Sequence, residues 1–147
     1  MPKVTINNTK GLFQEAGSGL TVSSNAQLTG RTTLSNVVLN SETVTDAGAI
    51  SVSVPLSLMV SAAGATVPTL ANGSYVGQLK YLIMTDATGT SQTATPVTTS
   101  GTWASLAFTV VGQSATLVWT AGGWAILGRQ SGATAGATAV AGLPVVA

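Results

Sequence analysis

From residue 50 the chain alternates. Ile50, Val52, Val54, Leu56, Leu58 and Val60 fall on one parity; Ser51, Ser53, Pro55, Ser57 and Met59 fall on the other. A period of two marks a strand with one face turned to a core. Pro55 has no N–H to give a ladder, so the run is either an edge strand or two strands joined by a bend at the proline. After the turn signal "ANGS" at 71–74, "YVGQLKYLIMT" sets Leu79, Tyr81 and Ile83 against Gln78, Lys80 and Leu82. "DATGT" at 86–90 turns the chain again. A polar strand, "SQTATPVTT", follows it, and then "SLAFTVVG" with Leu106, Phe108 and Val110 aligned. Residues 115–128, "ATLVWTAGGWAILG", have the form of a hairpin with a Gly-Gly turn and a tryptophan on either side. Ala115, Leu117 and Trp119 share one face of it, which predicts a core position for Trp119.

The flanks differ. Residues 17–45 space single apolar residues (Val22, Leu28, Leu34) among small polar ones. Backbone ordering costs about 1–2 kcal/mol per residue and one buried Val or Leu returns about 1.5–3 kcal/mol, so this segment needs other copies or a partner to pack on. From Ser131 the chain is Ala/Gly-rich without a readable period, either flexible or ordered only by docking. The pattern predicts an all-β fold, an antiparallel β-sandwich or small barrel. Its organisation is an extended N-terminal arm over 1–40, a β-domain over 41–130 and a C-terminal tail over 131–147.

Composition narrows the function. Charged residues are 6% of the chain, against about 25% in an ordinary soluble domain. Lys3, Lys10, Arg31, Lys80 and Arg129 are scattered, whereas nucleic acid demands several cations on one face. No charge falls between Asp86 and Arg129, yet polar and glycine breaks, and apolar residues that recur at period two, argue against a membrane span there. "MPKVTINN" lacks the apolar core of a signal peptide.

There is no histidine and no cysteine, and the acids are Glu15, Glu42, Asp46 and Asp86. General acid–base catalysis, a transition-metal site and an oxygen-ligand calcium site all need more than this. "GSG" at 17–19 is a flexible joint rather than a phosphate loop. Glu42, Asp46 and their like are expected to solubilise or to cap turns. A serine nucleophile would have to rely on Lys3, Lys10 or Lys80, none of them in a recognisable elbow. The expectation is a protein that is not an enzyme and carries no cofactor and no metal. Trp103 and Trp124, near polar or glycine-rich ends, are expected partly exposed, with core, subunit contact and glycan contact all open for the aromatics.

Two stretches carry a resemblance. "KVTINNTKGLFQEAGSGLTV" resembles the opening of small virion proteins of tailed bacteriophages, of the head-decoration or head-fibre type. Residues 73–128 resemble a β-module of phage fibre, spike and decoration proteins. Its entry is Gly73, Tyr75, Gly77, Gln78 and Lys80, its turn Asp86 to Gly89, and its exit Gly123-Trp124.

The resemblance implies a homotrimer held non-covalently on the outer surface of a phage head, with the major capsid protein as partner and no catalysis. The alternative is a tail-fibre or receptor- and glycan-binding module. Candidate attachment residues are Lys3, Val4, Ile6, Lys10, Leu12 and Phe13. "KVTI" can add a strand to a neighbour's sheet, while Leu12 and Phe13 can fill a pocket. Candidate subunit contacts are Val22, Leu28, Leu34, Trp103 and Trp124.

Overall fold

A computed structural model describes residues 5–7, 11–13, 37–132 and 144–147. The chain divides into two compact units, Met1–Val37 and Val38–Ala147. In the first, β1 (Thr5–Asn7) pairs antiparallel with β2 (Gly11–Phe13), placing Ile6 opposite Leu12 and Thr5 opposite Phe13. Of the rest of the expected arm only residues 37–40 are described, and Lys3, Val4, Lys10, Val22, Leu28 and Leu34 lie outside the described residues.

The second unit is all-β among its described residues. It begins with β3 (Ser41–Thr45), β4 (Leu56–Val60), β5 (Ala65–Thr66) and β6 (Thr69–Leu70). The long strands β7 (Leu79–Asp86) and β8 (Ser91–Pro96) precede β9 (Leu106–Phe108). β10 (Ser114–Thr120) and β11 (Gly123–Gln130) form the tryptophan hairpin, and β12 (Val145–Val146) ends the chain. One sheet runs β11-β10-β7-β4-β3; the other runs β12-β9-β8-β5, with β6 also on β8. Both contribute to a single core that includes Met59, Leu82, Met84, Leu117 and Trp124 from the first sheet and Leu70, Leu106 and Phe108 from the second. The arrangement is sandwich-like, and neither sheet closes into a barrel.

The sheets are mixed, which corrects the antiparallel expectation. β4 is parallel to β3 and to β7, and β8 is parallel to β5 and β6. The reason is the route of the chain. After β4 it crosses to the second sheet for β5 and β6, then returns as β7, and a strand that returns from the other layer can run in its original direction. β8 reaches its parallel partners by the same device in reverse. Hairpin connections, which force antiparallel pairing, join β10 to β11.

Pro55 is a boundary between two pieces. Ile50 bridges to Leu70 of the second sheet, residues 51–55 cross between layers, and β4 starts at Leu56. The parity in β4 is the reverse of a simple core reading: Ser57 and Met59 are buried, while Leu56, Leu58 and Val60 are half-buried. The C-terminal end is also part of the fold. Val145 and Val146 pair with β9, and the Ala147 carbonyl accepts from the Ala104 and Ser105 N–H groups.

Glycine decides one close approach. A Cβ on Gly73 would lie 2.4 Å from Trp119 Cγ, so the indole covers this residue only because it has no side chain. Gly73→Ala is expected to cost about 1–3 kcal/mol in denaturant unfolding, the overpacking range. Gly128→Ala, with open space around it, should stay within about 0.5 kcal/mol. Equal effects at the two positions would rule out the Gly73–Trp119 contact as the cause.

Candidate functional site

The polar chemistry of the second unit is concentrated on β7. Its inward positions are Lys80, Leu82 and Met84, with Gln78 just ahead of the strand. Lys80 is fully buried. Its Nζ donates to Glu42 Oε1 at 3.0 Å and to the Ser51 and Val54 carbonyls, each at 2.7 Å. All three ammonium protons are engaged. Glu42 Oε1 also accepts from the Ser51 N–H and the Ser57 hydroxyl. Burial holds the Lys80 pKa below its ordinary value, against the opposing pull of the Glu42 carboxylate.

Gln78 adds a second tie, donating from Nε2 to the Val52 carbonyl and accepting the Ser74 N–H on Oε1. The crossing segment 51–54 has no sheet partners, and these side chains supply its carbonyls with donors. The arrangement is a clamp. An ammonium with every proton bonded is neither a nucleophile nor a base.

The other charges are used in the same way. Asp46 sits in the left-handed region at φ 51°, where Asp is tolerated better than most residues. Its Oδ1 accepts the Ala62 and Ala63 N–H groups. Asp86 Oδ1 accepts the Thr88 N–H and hydroxyl, which lower its pKa. Arg129 Nη1 donates to the Pro144 carbonyl. Buried Gln92 reaches the Val44, Asp46 and Val60 carbonyls. Among the described residues no three His, Cys, Asp or Glu side chains gather where a metal ion could be held, and no helix is long and apolar enough to cross a membrane.

The motif residues converge at one end of the sheets. The Gly77 N–H bonds the Trp119 carbonyl, the Trp119 N–H bonds the Gln78 carbonyl, and Trp124 Nε1 donates to the Ala71 carbonyl at 2.9 Å. Trp119 and Trp124 are directly paired across the hairpin, with rings edge to face at 5.4 Å and 67°.

The two tryptophans exchange their expected places. Trp124, expected at an exposed sheet end and a candidate subunit contact, is fully buried, while Trp119, expected in the core, is half-buried. The close approach of Gly123 to the backbone of Thr98 and Thr99, with the Trp124 N–H on the Thr98 carbonyl, carries Trp124 under the neighbouring loop. Trp103 is half-buried against the core, its carbonyl accepting the Thr99 hydroxyl.

Tyr75 alone among the entry-motif residues points outward. It is 65% exposed at the start of a turn closed by the Gln78 N–H on its carbonyl, with Gly77 at φ 90°. That positive φ is the conformation a type II turn asks of a glycine. Val76 beside it is exposed as well.

A larger feature is the outer face of the first sheet. Leu56, Leu58 and Val60 of β4, Leu79, Tyr81 and Ile83 of β7, and Val118 of β10 all alternate away from the core. Sequence reasoning grouped Leu56, Leu58 and Val60, and likewise Leu79, Tyr81 and Ile83, but did not identify the face as outward. The signal was the run "YLIM", apolar at both parities, which a strand with one solvated face does not need. Comparisons with protein-family models, with curated proteins and with solved structures find no match for this chain.

Proposed function

We propose that the chain is a non-enzymatic virion structural protein, a capsid decoration or head-fibre protein that sits as a homotrimer on the outer surface of a phage head and stabilises it. One observation carries this reading. All five formally charged side chains among the described residues bond to the chain itself, while apolar side chains, from Val37, Val38 and Leu39 to Tyr75, Val76 and Leu127, lie exposed. What such a molecule offers is contact area, and large exposed apolar surface in a soluble domain marks an interaction site. The sequence motifs described above supply the virion context.

Attachment is assigned to residues 1–20, with Ile6, Leu12 and Phe13 as the apolar contacts and Lys3 and Lys10 toward an acidic shell. The major capsid protein is the proposed partner. The test deletes residues 2–20 and measures thermal melting together with binding to undecorated capsids. Loss of capsid binding with the melting temperature unchanged is the expected result. Retained binding would end the assignment. Copies in the hundreds per virion place the protein on the head, and single digits or low tens would move it to the tail.

A further inference from the structure

We infer that the outer face of the five-stranded sheet is the surface through which copies of this chain meet, each face buried against the same face of its neighbours. The inference rests on the self-assembly part of the function proposed above and is independent of what the assembly attaches to.

The strand registers define the face. Leu56, Tyr81 and Thr116 form one row, Leu58, Ile83 and Ser114 the next, and Leu79 and Val118 a third that continues to Ala125. None of these side chains belongs to the core or to the partly buried residues packed on it, which are Val52, Ala87, Trp103, Trp119, Ile126 and Val146. Leu79 is 41% exposed and Leu127, at the β11 edge, 62%. No charged side chain stands in these three rows; the row of Val60, at the margin of the face, ends on Asp86, whose carboxylate is engaged with Thr88.

Three physical arguments say the face is covered. First, β4 carries its larger apolar set outward, with Ser57 beside Met59 on the inner side. Strands of all-parallel sheets, covered on both faces, are apolar at both parities, and β4, parallel to both neighbours, shows the same pattern on its outer side within this mixed sheet. Second, the size is right. Five strands span about 19 Å and the eight residues of β7 about 26 Å, a flat area near 500 Å² before side-chain relief is counted. Side-chain relief raises that figure toward the ~800 Å² each partner contributes to a standard interface.

Third, the cover must itself be apolar and uncharged, because a charge laid on this face would be desolvated without a partner. The face meets that requirement itself, and copies of one chain whose contacts close into a ring form a cyclic assembly. Three faces set edge to edge around an axis hold each sheet about 5–6 Å from it, half of the ~10 Å separation at which sheets pack. A three-fold assembly therefore fills its own centre.

The experiment uses the full chain and two outward lysines, Ile83→Lys and Thr116→Lys. The second replaces a residue that is already polar, so the monomer fold tolerates it. Wild-type mass by light scattering at micromolar concentration should be about three times the 14.5 kDa of one chain. Each variant should fall to single-chain mass, its dissociation constant raised at least tenfold, with its circular dichroism unchanged. The chain has no cysteine, so a spin label on Thr116→Cys reports this face alone. Strong label–label broadening is expected there and not at Thr93→Cys on the second sheet.

A monomeric wild type would overturn both this inference and the self-assembly reading. An oligomer that survives Thr116→Lys, or that shows no broadening at Thr116→Cys, would overturn the inference and leave that reading standing. Cover by the chain's own N-terminal residues or by a different protein belongs to those two outcomes.

Discussion

Lys80→Met is expected to lower the unfolding free energy by about 3–5 kcal/mol, the range for removing one member of a buried ion pair. The methionine fills similar volume, so packing is not the cause. The variant leaves the Glu42 carboxylate, 21% exposed, without its countercharge, and strips the Ser51 and Val54 carbonyls of their only side-chain donor. Segment 51–54 then loses its tie to β7. Glu42→Gln keeps an oxygen for Ser51 and Ser57 but leaves the fully buried Lys80 ammonium without its countercharge, so it should also cost about 3–5 kcal/mol. Glu42→Leu combined with Lys80→Met should recover part of the single-variant loss. Denaturant titration of the four proteins checks this, and a Lys80→Met loss below 1 kcal/mol would show that the clamp does not hold the crossing segment.

The same pair sets an alkaline pH dependence. The folded pKa of Lys80 lies below the unfolded value of 10.5, so between the two the unfolded chain binds more protons. Stability from this group then rises as pH climbs through that window. Wild-type protein should gain on Lys80→Met across the window, measured as the difference between the two so that tyrosine ionisation cancels.

Trp124→Ala is the second large effect, about 3–5 kcal/mol for a buried aromatic. Trp124 is fully buried, bonds the Ala71 carbonyl through Nε1 and braces Trp119 edge-on. Removing it opens a cavity where the hairpin meets loops 71–78 and 98–104. Trp124→Phe keeps most of the volume and loses the Nε1 bond, at about 1–3 kcal/mol. Trp119→Ala should cost less than Trp124→Ala because Trp119 is only partly buried against the core. Chemical denaturation orders the three, and a Trp119→Ala loss equal to or above that of Trp124→Ala would reverse the assignment.

By itself the sequence determined what depends on near neighbours. Period-two alternation marked the strand regions of β4, β7, β9 and β10, because successive side chains of a strand must face opposite sides. Gly122-Gly123 marked the place of the hairpin, although the two turn residues are Ala121 and Gly122, and Gly123, at φ 122°, opens β11 opposite Thr120. The scarcity of acids, the lack of histidine and cysteine, and the entry motif were also on the chain's surface reading.

The tertiary structure decided everything that depends on which layer a strand visits. Parallel pairing of β4 and β8 follows from crossings between sheets, and no local pattern encodes a crossing. The outward parity of Leu56, Leu58, Tyr81 and Ile83 follows too, because periodicity pairs residues on a face without saying which face meets the core. Lys80 read as an ordinary strand lysine until the fold brought Glu42 and the carbonyls of Ser51 and Val54 to its ammonium, contacts 26 to 38 residues distant in the chain. Trp119 and Trp124 were indistinguishable as flanks of one turn. Their burial differs because the loop carrying Thr98 and Thr99 closes over one side of the hairpin, and that is a property of the packed molecule alone.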